Sequence, residues 1–372
     1  MVLSACLIVR DEESHLDACL SSIEPYVDEI VVLDTGSTDD TPQIAGRHGA
    51  RLFRLSWAGD FAAARNEALE KAKGAWILII DADETLRPIP VSEIRGLLES
   101  PRRIAYHTWL CPKAGWTEMR TLRLFRNHPR IRYRGAIHES VGEGLQERLA
   151  AGDGEIGECG ITLDHTGFEA DQRAKHERNI PLLLAELGRD PDKLWDRQHL
   201  AHCYYESGRR AEAEALWQEN VCRLRGKTGA TVLDSLSHAA LIQLLLADKR
   251  DALPLLAEAL ASFPGNPEFT WLQGKELMSR RRFEEALPCF ERLVHRGRDR
   301  DYDRSISYES RMFDAHAYEA MAVCHFRLAR YRESRRCFEI ARTYIPDSVE
   351  YAVKGRLCAV LEKKRSGDPA HR

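Results

Sequence analysis

Up to about residue 165 the chain alternates short apolar runs with amphipathic stretches. Residues 3–9, 29–33, 50–55 and 75–80 are runs of strand length. Three of them are nearly continuous in apolar side chains, as strands of a parallel sheet covered on both faces should be. Between them the pattern predicts helices over 14–23, from Thr41-Pro42 onward and over 61–73. Thr41 is the expected N-cap of the second, with Pro at its first position, and Gly74 closes the third. A β-α-β-α-β-α-β order predicts an open, mostly parallel, Rossmann-like α/β sheet. Residues 103–110, 120–125, 131–134 and 160–163 read as further short strands that extend it.

From residue 195 the period changes to helix pairs. Small residues recur at Ala201, Ala240, Gly274 and Ala322. Each is followed 12 positions on by Ala213, Ala252, Ala286 or Ser334, and four further on by Trp217, Leu256, Phe290 or Phe338. The spacing of 34 from Ala240 to Gly274 is the tetratricopeptide period, and the spacings of 39 and 48 imply longer connections. The expected organisation is an α/β domain over 1–165, a helical linker over 166–194 broken at Pro191, and tetratricopeptide-like repeats over 195–362. A disordered basic tail over 363–372 completes it.

Composition narrows the function classes. Lys and Arg number 54 against 58 Asp and Glu, a formal charge of −4 that argues against bulk nucleic-acid or membrane-surface binding. No apolar run reaches the roughly 18 residues of a transmembrane helix, and Met1-Val-Leu-Ser-Ala-Cys reads as a first strand, not a signal peptide. Ten Cys residues without CxxC or zinc-ribbon spacing suit a reducing cytoplasm.

An open α/β sheet binds its ligand beyond the carboxyl ends of the strands. In this chain those ends are crowded with acid: Arg10-Asp-Glu-Glu13, Asp34-Thr-Gly-Ser-Thr-Asp-Asp-Thr41, Asp60-Phe-Ala-Ala-Ala-Arg-Asn66 and Asp81-Ala-Asp83-Glu84. Like charges gather there only around a cation or a donor. The Asp81/Asp83 pair suits a divalent ion, Mn²⁺ or Mg²⁺, bridging diphosphate oxygens, and its alternative is a strand cap. A dinucleotide enzyme is disfavoured, because no GxGxxG follows the first strand.

These segments, 7–13, 34–41, 60–66 and 80–84, resemble the family 2 glycosyltransferases of the GT-A fold. The combination with tetratricopeptide-like helices is most similar to the bacterial subgroup that includes peptide S-glycosyltransferases. The resemblance implies an inverting, metal-dependent transfer of a sugar from a nucleotide-diphospho-sugar, UDP-linked, to a peptide, protein or glycan. It implies that Asp83 is the direct metal ligand, with Asp81 at the ribose or the metal shell. Asp34 would contact the base or ribose, or cap the Gly36 turn. Glu12 or Glu13 would lie over the ribose with Ile8 to Arg10 beneath the base; both acids could instead serve the first helix as dipole partners. Arg65 and Asn66 would face the nucleotide or a solvated helix face, and Asp60 suits both the site and an N-cap. Arg123-Leu-Phe-Arg126 and His138-Glu139 also match the family's pattern. They imply His138 in the metal shell, with His165 the other candidate. For the catalytic base the candidates are Glu139, Glu118 and Asp164, Glu139 being preferred. The competing reading is a tetratricopeptide scaffold with an inactive α/β half. A homodimer through the helical repeats stays open.

Overall fold

The computed structural model describes residues 2–167, 173–227 and 229–365. They fall into two compact units. The first comprises residues up to Ala114 together with Glu118–Asn220, and the second comprises Gly115–Thr117 together with residues from Val221 on.

The first unit is built on β1 (Leu3–Val9), β2 (Glu29–Asp34), β3 (Arg51–Arg54) and β4 (Trp76–Ile79), joined by α1 (Leu16–Ile23), α2 (Thr41–Arg47) and α3 (Phe61–Lys71). The apolar runs become strands because both sheet faces are covered. Leu3, Ala5, Leu7 and Val9 pack on one side against Leu16, Leu20 and Ile44. Cys6, Val31, Ile77 and Ile79 pack on the other against Ala64, Ala68 and Leu69 of α3. The Asp40 position, one residue earlier than expected, borders α2. The Thr41 hydroxyl is engaged elsewhere, accepting from the Glu12 N–H at 2.7 Å.

Beyond β4 come β5 (Glu84–Leu86), α4 (Val91–Glu99), β6 (Arg103–Cys111), β7 (Met119–Arg126), α5 (Gly142–Ala150) and β8 (Glu155–His165). The eight strands form one sheet in the order β3-β2-β1-β4-β7-β6-β8-β5. The β1–β4 half is parallel, and β7 meets β4 and β6 antiparallel. The sheet is therefore mixed to a degree that the apolar runs do not show. Residues 131–134 are not a strand. The Tyr133 N–H and C=O are both taken by the Asn66 side-chain amide, at 2.8 and 2.9 Å, which leaves only a single isolated bridge, from Arg134 to Ser140. Three short elements, β5, α4 and α5, went unread in the sequence.

Two helices complete the first unit, α6 (Arg173–Arg189) and α7 (Leu194–Glu206). Leu183 of α6 and Leu200 and Cys203 of α7 share a small core with Ile137, against which Phe61 packs. The division between the units falls within α8 (Arg210–Leu224).

The second unit is all-helical: α9 (Leu236–Ala247), α10 (Leu253–Ser262), α11 (Pro267–Ser279), α12 (Phe283–Asp299), α13 (Ala315–Arg327), α14 (Tyr331–Tyr344) and α15 (Val349–Arg365). Its small positions permit close helix contact. A Cβ on Gly274 of α11 would stand 2.6 Å from the Phe290 ring of α12, so only glycine fits. Ser334 of α14 donates to the Ala322 carbonyl of α13 at 2.8 Å inside the core. Of the expected tail, 363–365 end α15 and 366–372 lie outside the described residues. No helix among the described residues is long and apolar enough to cross a membrane.

Candidate functional site

Strand order reverses between β1 and β4, since β1 neighbours β2 on one side and β4 on the other. A crevice opens at such a reversal, beyond the strands' carboxyl ends. A cavity of about 350 Å³ lies there. Its walls carry Ile8 and Val9 at the end of β1, Arg10 and Glu12 after it, Thr35 after β2, and Asp81 and Asp83 after β4. His138, Glu139 and His165 join them from later in the chain.

The two aspartates have different surroundings. Asp81 is locked in a row of alternating charge. Its Oδ1 accepts from Arg65 Nη2 at 2.8 Å and its Oδ2 from Arg123 Nη2 at 3.0 Å. Arg65 Nε reaches Glu139 at 2.5 Å, and Arg123 reaches Glu84 at 2.8 Å. Burial disfavours a charged Asp81, but Arg123 and Arg65 outweigh it and hold the carboxyl well below the usual carboxylate range. Burial pushes Glu84 up to about 7, with the Asp81 charge adding to it and Arg123 opposing. One donor of the row is left over. Arg65 Nη1 is buried without a hydrogen-bond partner.

Asp83 is held by its backbone instead. Its carbonyl accepts from the N–H and hydroxyl of Thr166 at 2.8 and 2.9 Å. Its Oδ2 lies 3.3 Å from His165 Nε2 and 3.7 Å from Lys175 Nζ. The antiparallel register that pairs Glu84 of β5 with His165 of β8 makes this meeting possible. Gly167 is required beside it, because a Cβ there would come within 2.5 Å of Asp83 Oδ2. Burial first, then the Lys175 charge, pushes the His165 pKa down, with Asp83 opposing. An Asp oxygen and a neutral imidazole converging on one point of a cavity wall fit a divalent cation. Among the described residues no group of three or more His, Cys, Asp or Glu could hold a metal ion. Such an ion would take its remaining ligands from substrate and water, as Mg²⁺ sites at phosphates do.

Most other sequence-named residues lie apart from the cavity wall. Asp34 is buried, and its Oδ1 caps the Gly36 and Ser37 N–H groups at 3.1 and 2.8 Å. Asp60 is the N-cap of α3, accepting from Ala63 at 2.8 Å. Asn66 is occupied by the Tyr133 backbone, and Glu13 accepts from the Asp40 N–H at 3.1 Å. Glu118 and Asp164 are both drawn to Arg87, at 2.6 and 2.7 Å. His138 stands in the wall, but its imidazole meets Asp196, not Asp83. Burial, then the Asp83 charge, raises the Glu12 pKa, and His15 opposes.

Several wall residues were missed in the sequence: Trp57, Phe61, Lys175, Arg178 and Asn179. Trp57 packs edge-on to Phe61 at 4.7 Å, and the Arg178 guanidinium lies over the Phe61 ring at 5.4 Å. Phe61 stands inside a named motif. The three α6 residues read only as a helical linker, although Lys175, Arg178 and Asn179 recur at the 3–4 spacing of one helix face.

Residues 4–145 match the model of glycosyl transferase family 2. A TPR repeat-containing protein of Synechococcus elongatus is 46% identical over 146 residues, 38% of this chain and 36% of that protein. The SPbeta prophage-derived glycosyltransferase SunS of Bacillus subtilis is 29% identical over 199 residues, 50% of this chain and 45% of that one. The chain thus spans less than half the length of these relatives. Among solved structures, S. aureus TarS in complex with UDP-GlcNAc aligns with a TM-score of 0.38 and 16% identity, over 65% of this chain and 81% of that one.

Proposed function

From the premise of a family 2 glycosyl transferase domain at residues 4–145, we propose that this chain moves a sugar from a nucleotide-diphospho-sugar, UDP-linked, to a peptide, protein or glycan acceptor with inversion at the anomeric carbon. One observation carries the reading: at the strand reversal, Asp83 and His165 converge beside a cavity whose wall also bears Lys175 and Arg178. A carboxylate and an imidazole suit a divalent cation, and ammonium and guanidinium suit phosphate oxygens. When bound there, Mn²⁺ or Mg²⁺ supplies positive charge to the departing diphosphate.

The chain's own groups then divide the work. Ile8 to Arg10, Glu12 and Thr35 flank the nucleoside. The leftover Arg65 donor serves a carbonyl or phosphate oxygen of the donor, and the Asp81 and Glu139 carboxylates keep that guanidinium oriented. The tetratricopeptide-like helices hold the acceptor or pair two copies of the chain. Ten free thiols suit a cytoplasmic setting.

Calorimetric titration with UDP tests this, with and without Mn²⁺. Metal-dependent heat is expected from the natural chain, and Asp83→Asn should weaken binding by about 10- to 100-fold with an unchanged melting temperature. Absence of metal-dependent heat in the natural chain would favour an inactive α/β half serving a binding scaffold.

A further inference from the structure

We propose that His138 accepts the acceptor's proton during transfer, and that Asp196 of α7 is the residue that positions it. This deepens the transferase reading and rests on it. An inverting displacement needs a proton acceptor near the nucleophile. The carboxylates that the motifs suggest for this task are already engaged. Arg65 takes Glu139, and Arg87 takes Glu118 and Asp164. Glu12 meets His15 Nδ1 at 3.1 Å.

His138 differs from them. It sits in the cavity wall with Asp81, Asp83 and Arg65. Its backbone is left-handed, with φ of +54°, a conformation uncommon outside glycine that persists where the surroundings enforce it and that clusters at functional sites. The enforcement is visible. The two ends of its turn are clasped by paired Arg134 and Ser140 backbone bonds of 3.0 Å, and Ile137 is anchored in the core shared with α6 and α7.

One ring nitrogen is assigned by its partner. His138 Nδ1 lies 3.2 Å from Asp196 Oδ1, and the Asp196 side chain is fully buried. Burial disfavours an ionised Asp196, but His138 and Lys193, whose Nζ lies 2.8 Å from Oδ2, keep its pKa below the ordinary value. An ionised carboxylate can only accept, so Nδ1 donates to it, and in the neutral ring the Nε2 lone pair is the one left over. Among the described residues no hydrogen bond engages Nε2. The His199 ring lies against the imidazole, with centroids 3.8 Å apart, and Trp195 meets it edge-on. Burial and the neighbouring His138 push His199 down to about 3, so it remains a neutral wall.

In the proposed step the acceptor heteroatom attacks the anomeric carbon and forms the new glycosidic bond. The bond from that carbon to the diphosphate oxygen breaks, and its electron pair leaves with the nucleoside diphosphate. The acceptor's proton passes to His138 Nε2, and the imidazolium is stabilised through its Nδ1–H by Asp196. A residue of the first repeat helix thereby belongs to the transfer site.

The test uses the full chain with Mn²⁺, UDP-glucose and UDP-N-acetylglucosamine as probes, and water as acceptor. Ring ¹⁵N spectra of histidine-labelled protein, assigned with His138→Gln, should show the Nδ1–H tautomer of His138 in the natural chain and its loss in Asp196→Asn. Both variants should lower kcat for donor hydrolysis by about 100-fold, with the donor KM and metal-dependent UDP heat within twofold of the natural chain. A proton on Nε2 in the natural chain, or variants with undiminished kcat, would overturn the proposal. Failure of the natural chain to bind UDP would overturn the transferase reading instead. If Asp196→Asn does not fold, the tautomer of the natural chain and the kcat of His138→Gln still decide.

Discussion

The end of the β1–β4 crevice and the α11–α12 pair are both densely packed, and they are packed with opposite materials. In the crevice the packed groups are Arg65, Asp81, Arg123 and Glu84, each paired with the next and with one Arg65 donor left over. In the helix pair they are Gly274, Ala286, Phe290 and Leu293, held by shape alone. A charged row is weak evidence for stability, because desolvation offsets the attraction. Its removal is still costly, since a single deletion strands a buried charge. An apolar contact fails in proportion to the void that is left. Under the proposed reading the first arrangement orients groups toward a ligand, whereas the second keeps helices together.

Four substitutions would break or sharpen that contrast. Arg65→Met should have the largest effect. It strands Glu139 and leaves Asp81 to Arg123 alone, at a cost of about 3–5 kcal/mol in urea unfolding, and it should abolish the UDP heat as well. A variant that keeps full nucleotide binding would show that the row is only structural. Phe290→Ala should cost a similar ~3–5 kcal/mol while the UDP titration stays unchanged; altered affinity would contradict the separation of roles. Gly274→Ala should destabilise by about 1–3 kcal/mol, because its Cβ meets the Phe290 ring at 2.6 Å. Combined with Phe290→Leu, much of that loss should return.

The smallest effect concerns His48. Burial lowers its pKa, but Asp17 and Glu24 outweigh that and raise it above the ordinary value. Its stabilisation is therefore complete below the unfolded value near 6.5, and it fades as pH rises through the higher folded value. His48→Gln should cost at most ~1 kcal/mol at pH 6, and the difference should shrink by pH 9. A penalty that grows with pH would reverse the assignment. His238 in the second unit supplies the opposite sign. Burial, opposed by Glu258, lowers its pKa, so its contribution declines as pH falls below 6.5.

Legibility in the sequence followed the same division. The helical repeats were readable because helix packing recurs: Ala286 and Phe290 are buried at the spacing that predicted them, and Ala213 and Trp217 likewise. In the second repeat position, Ala240 is only partly buried and its neighbour Ala239 takes the core place. The strand tips were equally readable as places. Their members' tasks were not, because Asp34, Asp60 and Asn66 carry the same polar letters whether they cap a backbone or face a ligand.

Local periodicity determined the strand and helix order from β1 to β4, the acid-rich ends of β1, β2 and β4, and the glycine that Phe290 requires, since each depends on neighbours a few residues away or on a repeated contact. Only the tertiary structure decided which acid is neutralised and which faces open space. Arg65 and Glu139 are 74 positions apart, and Arg87 and Asp164 are 77 apart. A carboxylate's charge and reach are set by whatever lies within about 4–6 Å of it, and no local pattern encodes neighbours that arrive from another strand or from a helix beyond the sheet.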